Sequence, residues 1–503
     1  MTEPAAQPRE NSPATAPASA PVSRLVFWLA LLVLLAIPAW VITYGYLPAD
    51  DALRHAAKAV SGKTWPEILV LGPHYTVDHN YGWEAWLRQV HQLTGWDAER
   101  LVDWSVLGLF VLAAGAGLAG VRRPEAWLGV LLVFGVAWPP LALRWMNGRP
   151  LLLSVAALVA VLFWIQSAPA PQLGRGRWFG LVALLALAVF VHGVWYLWAL
   201  AVAACFLAGE RRWGLALAGA WLGGSALAAL ATGQPVDYLV EAVRTAWRAV
   251  QMHPTARTRV SELQPASSGL LLFLVLGGLL TLRALARLEA RPLSRFPAFW
   301  LAALGWTLGF WNRRFWEDWG LPALMVLAAG DLDLYLRAAL APAAPRRLAV
   351  TACLAGALFC AVTSDTDSRW TRSLTRQYLV QGDPELAGWL PEPGGIFYAA
   401  DPAFFYETFF KNPRADWRYI LGFEMTLMPA EDFEILHRIL WNFGAGASYR
   451  PWVEKLRPAD RLFVRGDPGS PPAIPGLEWH HTRGGMWSGR LPRAGAGAAV
   501  PGR

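Results

Sequence analysis

Two adjacent carboxylates, Asp50 and Asp51, follow closely on an apolar run from Leu25 to Thr43. If that run crosses a membrane, the pair stands at the membrane–water boundary. A carboxylate there loses part of its hydration and persists where it has a task or a partner. The task this residue type suits is general-base work: a carboxylate aimed at an acceptor hydroxyl in a partly dry site. The competing account is helix capping, because Pro48 precedes the pair and a helix-compatible stretch follows it. One Asp can cap while its neighbour faces a substrate.

The cations form a second set. Arg144 and Arg149 flank a very short loop, and Arg313-Arg314 sit in another. By the orientation argued below, both loops lie on the outer face, where Arg runs against the positive-inside bias. A guanidinium makes bidentate contacts to phosphate oxygens and stabilises charge on a departing phosphate. Pairing with Glu317, Asp318 or lipid headgroups is the rival use of these arginines. The polar residues of the first loop form a third set: His74, Asp78, His79 and Glu84, together with His55. Their types could ligate a metal, but their spacing matches no ligand template; hydrogen bonding to substrate hydroxyls is the other use. His192 stands alone at a break between two apolar stretches, either at the site or as a buried, hydrogen-bonded histidine. Trp83, Trp86, Trp195, Trp311, Trp316 and Trp319 cluster at the outer boundary, as an interfacial belt or as stacking platforms.

The elements that must position these groups read as membrane spans. Of the 503 residues, 55% are hydrophobic and only 16% charged, against about 25% charged in soluble domains. Apolar blocks alternate with short basic punctuation, so the net charge of +8 belongs to membrane orientation rather than nucleic acid. About eleven spans are expected. With the N-terminus in the cytoplasm, the loops carrying Arg122-Arg123, Arg175 with Arg177, Arg211-Arg212, Arg283 to Arg295 and Arg346-Arg347 all fall inside. Residues 1–24 read as a disordered cytoplasmic tail and 25–364 as a transmembrane domain, with a long outer loop at 44–103 holding two surface helices. The run from 178 to 208 reads as two short spans meeting at His192. The loop 233–268 carries an amphipathic segment, and its Arg244, Arg248, Arg257 and Arg259 read as a solvated face. Residues 365–493 read as an outer α/β domain with strands near 395–400, 417–423 and 461–465, helices at 402–411 and 430–443, and an edge hairpin within 477–490. Residues 494–503 read as a disordered tail. Cys205, Cys353 and Cys360 all fall in apolar runs, as small packing residues with no disulfide framework.

An acidic pair just after the first span, a long first outer loop with surface helices and a soluble domain on the same face together resemble the C-type glycosyltransferase superfold (GT-C). Protein O-mannosyltransferases and the lipid A aminoarabinose transferase share this plan. The resemblance rests on the overall plan and the Asp50-Asp51 motif. It implies an inner-membrane enzyme with a periplasmic C-terminal domain, taking a sugar from a polyprenyl-phosphate donor. An inverting displacement would pass the sugar to an acceptor hydroxyl of a glycan, lipid or protein. It assigns Asp50 or Asp51 as base or acceptor-positioning residue. Arg144, Arg149, Arg313 and Arg314 would hold the donor phosphate, and His55, His74, Asp78, His79, Glu84 and His192 the substrate. Members differ in whether a divalent cation takes part, so Mg or Mn stays open.

No Gly-rich phosphate loop supports ATP-driven transport, and acidic residues are nearly absent at mid-span, so an ion relay has little to work with. A non-catalytic envelope-assembly protein and a flippase for lipid-linked sugars are the remaining alternatives.

Overall fold

The computed structural model describes residues 20–73, 75, 77–167, 174–251, 264–266, 270–285, 292–340, 344–482 and 485–492. His74, Arg257, Arg259 and most of the two expected tails lie outside them. The chain is a helical membrane protein. Among the described residues, five helices are long and apolar enough to cross a bilayer: Val22–Thr43, Ala98–Ala119, Arg211–Ala231, Arg313–Ala339 and Ala344–Thr363. Shorter apolar helices, among them Pro124–Ala137, Leu151–Ser167 and Arg175–Val191, pack between them. The break expected at His192 is present: the Arg175–Val191 helix ends there and a new one starts at Trp198.

Close packing of these helices relies on small residues, as in membrane bundles generally. A Cβ on Gly305 would lie 2.5 Å from the Cα of Gly320, and one on Gly224 would lie 2.8 Å from the backbone nitrogen of Ala186. The first contact seats the Pro297–Gly309 helix against a π-helical turn at Trp316–Gly320. Such turns interrupt α-helices frequently at functional sites.

The tryptophan belt is only partly a belt. Trp86 and Trp311 are exposed, but Trp83, Trp316 and Trp319 are buried. Trp316 stands edge-on to Trp138 and Trp306, and Trp319 to Trp198. These rings fill the bundle instead of lining its rim. Cys353 and Cys360 likewise project outward instead of packing inside, and only Cys205 is buried. The amphipathic segment is a helix, Pro235–Gln251. It turns Tyr238, Glu241, Ala242 and Thr245 inward and leaves Val236, Val243 and Trp247 exposed. The Tyr238 hydroxyl fixes this orientation by donating to the carbonyl of Val189 at 2.6 Å.

The C-terminal region forms a five-stranded sheet in the order β2-β1-β3-β5-β4. β1 (Gly395–Ala399), β2 (Trp417–Tyr419) and β3 (Arg461–Arg465) are parallel, with the Pro402–Lys411 and Ala430–Trp441 helices in the crossovers. β4 (Glu478–Thr482) and β5 (Met486–Arg490) form the expected hairpin, with β5 rather than β4 against β3, so the sheet is mixed.

This region is fastened to the bundle by backbone as well as side chains. The first loop adds to the free edge of β2: Leu69 bridges Tyr419 in parallel, and the Val70 amide donates to the Tyr419 carbonyl at 2.9 Å. Trp65 from the loop packs among Phe405, Phe409 and Phe423, where each large apolar side chain withdrawn from water contributes about 1.5–3 kcal/mol. Arg376 donates to the Pro48 carbonyl at 2.8 Å, two residues before the acidic pair.

Candidate functional site

Asp50 occupies the N-cap position of the Asp51–Ser61 helix, but its side chain makes no capping bond. It turns to Arg149, whose Nε lies 3.1 Å from Oδ1 and whose Nη2 contacts Oδ2. Asp51 accepts from the Nε of Arg54, one turn along the same helix, at 2.8 Å. The Nε of Arg149 lies 3.8 Å from its other oxygen. Burial alone would raise the Asp51 carboxyl, but Arg54 and Arg149 outweigh it and hold the group well below the usual carboxylate range. Asp51 keeps 26% of its side-chain surface accessible. The pair is therefore held by arginines and still reached by water.

Beneath it lies a chain of buried polar groups from the first loop. His55 and Glu84 meet at 3.1 Å through Nδ1 and Oε1. Glu84 is hydrogen-bonded in turn to Asp78, which also accepts from the Trp65 indole and, at 2.8 Å, from the Asn80 amide. Burial and the neighbouring Asp78 push the Glu84 carboxyl well above the usual range; burial and then Arg54 push His55 down to about 3. These shifts favour a protonated Glu84 that donates to Asp78 and a neutral His55 that donates through Nδ1 to Glu84. The network assigns that tautomer. It leaves the buried Nε2 of His55 without a partner.

The remaining arginines gather around two carboxylates of the π-helical turn. Arg144 makes a two-point pair with Asp318, at 2.6 and 2.7 Å, and reaches Glu317 at 3.4 Å. Arg313 lies 3.9 Å from Glu317 and Arg314 3.8 Å from Asp318. The rival use of these side chains named from the sequence is thus present, and the phosphate-binding expectation meets arginines that already have counter-ions. The two clusters adjoin, since Arg144 is within electrostatic reach of both Asp50 and Arg149.

His192 is buried between the clusters, sensing Arg314, Asp51, His79 and His55. Its Nδ1 is buried without a partner among the described residues. His79 shares its surroundings through its carbonyl, which accepts from the Gly193 amide at 2.8 Å. A Cβ on Gly193 would lie 2.9 Å from that oxygen, so the residue type permits the contact.

The C-terminal region covers the acidic pair. Phe423 places its ring 4.0 Å from the Arg54 guanidinium. Tyr406 faces Asp51, Arg54, Asp50 and Arg149, and Glu424 faces Arg314, Arg54 and Asp51. Burial raises the Glu424 carboxyl. Sequence reasoning missed Arg54, Tyr406 and Glu424 and treated Glu317-Asp318 only as possible partners. The i,i+3 spacing of Asp51 and Arg54 and the i,i+4 spacing of Arg313 with Glu317 and Arg314 with Asp318 were legible signals. Tyr406 and Glu424 had none. Among the described residues, no group of three His, Cys, Asp or Glu is placed to hold a metal ion. A separate open cleft of about 470 Å³ lies between Gly95 and Asp97 of the first loop and Lys411–Ala415.

The arrangement is a cluster of carboxylates and guanidiniums paired with one another in an apolar protein, beside buried imidazole nitrogens of His55, His79 and His192 that have no partner among the described residues. Buried polar atoms left unpaired cost free energy and mark places where a ligand or water completes the bonding. No protein-family model and no curated protein matches this chain.

Proposed function

We propose that the chain is a membrane glycosyltransferase of GT-C type, moving a sugar from a polyprenyl-phosphate donor to an acceptor hydroxyl at the periplasmic face of a bacterial inner membrane. In this reading about eleven helices cross the bilayer, the N-terminus is cytoplasmic and the C-terminal domain is periplasmic. The observation that carries it is the acidic pair: Asp50 and Asp51 follow the end of the first apolar helix, half-buried, against Arg149.

The acceptor oxygen forms its bond to the anomeric carbon while the bond from that carbon to the donor phosphate oxygen breaks. Polyprenyl phosphate leaves with the electron pair, and the acceptor proton passes to a carboxylate. Asp51 in its resting pairing is a weak base, because two guanidiniums stabilise its charge. A donor phosphate that draws Arg149 towards itself removes part of that stabilisation and raises the basicity of Asp51 at the moment it is needed. Arg149 and Arg314 are the cations best placed to meet the phosphate; Arg314 keeps 34% of its side chain accessible. Arg144 and Arg313 act through Glu317 and Asp318, which hold the cationic wall in place. His55, His79, His192, Asp78 and Glu84 shape the sugar side of the site, and the C-terminal domain roofs it.

The test is transfer from a radiolabelled polyprenyl-phosphate sugar in membranes carrying wild type, Asp50→Asn, Asp51→Asn or both. Loss of transfer in either single variant is expected. Undiminished transfer in all three overturns the reading, and no transfer even in wild type would favour a scaffold or a flippase.

A further inference from the structure

At the end of the first apolar helix far from Asp50, a second buried charge cluster has a different balance. Ala20–Thr43 is 24 residues long, which at 1.5 Å per residue separates its ends by about 36 Å. Near its start, Ser23 accepts from Arg347 at 3.0 Å, and Arg347 pairs with Glu125 at 2.7 Å. Beside them, the Arg123 amide donates to Asp333 at 2.7 Å, and Asp333 also contacts Arg337. Three guanidiniums, Arg123, Arg337 and Arg347, thus face two carboxylates, Glu125 and Asp333.

The Arg123 side chain is the anomaly. The residue is only 8% exposed, and its guanidinium donates no hydrogen bond among the described residues; its Nη1 is buried without a partner. The Nε of Arg337 is buried and unpartnered as well, as is the Nε2 of Gln166. Gln166 lies against Gly330, one turn from Asp333 on the same helix: a Cβ on Gly330 would lie 3.2 Å from its Oε1. A buried guanidinium N–H with no acceptor is costly, and the cost is removed by an anionic acceptor with several oxygens. Arg123 also precedes the N-terminus of the 14-residue Pro124–Ala137 helix, whose dipole favours negative charge there.

We infer that Arg123, Arg337 and Gln166 form a phosphate-binding site at this end of the bundle, filled by the phosphate of a membrane phospholipid or by the free ion. The site is independent of the cluster at Asp50 and of the activity proposed for it. The guanidinium and amide N–H groups match phosphate oxygens, and the excess positive charge of the cluster matches the phosphate's charge.

The test uses the full chain purified in a phosphate-free maltoside detergent, followed by native mass spectrometry and thermal melting. Phosphatidylglycerol, inorganic phosphate and phosphate-free diacylglycerol are added separately. Phosphatidylglycerol is expected to raise the melting temperature and to stay bound, and diacylglycerol to do neither. A rise with inorganic phosphate as well would assign the site to phosphate in general; a rise with the lipid alone would assign it to the headgroup. Arg123→Gln removes an unpaired buried charge, so the lipid-free variant should melt no lower than wild type. Its affinity for phosphatidylglycerol should fall at least about tenfold, as expected for loss of charge-assisted hydrogen bonds. Arg337→Gln is the second variant. The inference fails if no phosphate compound shifts the wild type, if diacylglycerol binds equally well, or if both variants hold phosphatidylglycerol as wild type does.

Discussion

Arg149 grips Asp50 across 99 residues of sequence, its Nε 3.1 Å from one carboxylate oxygen and its Nη2 against the other. This pairing takes Asp50 away from the helix end it would otherwise cap. Lysine has the charge but not the planar fork, so Arg149→Lys should preserve the fold and weaken the pairing. Arg149→Met leaves the carboxylates without their shared cation, and loss of about 2–4 kcal/mol in unfolding free energy is expected, towards the lower end because the pair is partly accessible. Denaturant unfolding checks the stability. If the proposed transfer reaction is correct, Arg149→Lys should lower the rate more than it lowers stability.

The Arg144–Asp318 pair allows structure and function to be separated. Asp318→Asn alone strands Arg144 beside Glu317 and should destabilise the bundle. The double variant Arg144→Met with Asp318→Leu removes both charges, and its stability should return to within about 1–2 kcal/mol of wild type. Transfer by the stable double variant then reports whether the cationic wall serves the donor phosphate: loss is expected under the proposed function, and full activity would assign the pair to packing alone.

The His55–Glu84–Asp78 chain sets a pH dependence with two limbs. Glu84 binds its proton more tightly in the folded protein than its ordinary value of 4.5. Its contribution is fully present below that value and is lost as pH rises through the higher folded value. His55 falls from 6.5 to about 3 on folding. It is neutral in the fold, so its contribution is present above 6.5 and is lost as pH falls from there towards 3. Glu84→Gln keeps a donor and an acceptor without the titration. Its melting temperature should stay level with rising pH where wild type declines. Identical pH profiles for the two proteins would show that Glu84 is not protonated in the fold.

Asp50 and Asp51 already receive guanidinium N–H groups on both sides, from Arg149 and Arg54. We therefore expect transfer to survive removal of Mg and Mn by a chelator. Loss of activity on chelation, restored by adding one of these ions, would show that a cation displaces an arginine in the working state.

Phe423 lies over Arg54 and beside Trp65, and joins the C-terminal region to the first loop. Phe423→Ala should cost less than the roughly 3–5 kcal/mol of a core phenylalanine, because the ring is half-buried, and should increase protease sensitivity in the 365–395 connection. Unchanged sensitivity would place the fastening elsewhere, at the Leu69–Tyr419 bridge.

Local order was legible where it depends on neighbours in the chain. The apolar run before Asp50, the break at His192, the helix at 402–411, the strand at 461–465 and the hairpin after it follow from periodicity and turn residues, and they lie where the sequence places them. The i,i+4 spacing of Arg313 with Glu317 and of Arg314 with Asp318 stands in the sequence, but that stretch reads as a loop, and the helical turns that bring the pairs together belong to the fold. The facing of the Pro235–Gln251 helix was not legible either. Periodicity reveals a stripe, but the hydroxyl of Tyr238 and the charge of Glu241 turned the polar side inward.

By itself the sequence determined a helical membrane protein with a small α/β region at its C-terminal end, and it placed two carboxylates after the first long helix. Only tertiary structure decided their partners. Arg149 reaches Asp50 across 99 positions and Arg144 reaches Asp318 across 174. The first loop adds a bridge to the far sheet, Tyr406 and Glu424 come down over the acidic pair, and the buried Nη1 of Arg123 has no partner among the described residues. The physical reason is one of range. Backbone hydrogen bonding and apolar spacing act within a few residues, whereas the pairing of buried charges depends on which helix ends the packing brings together.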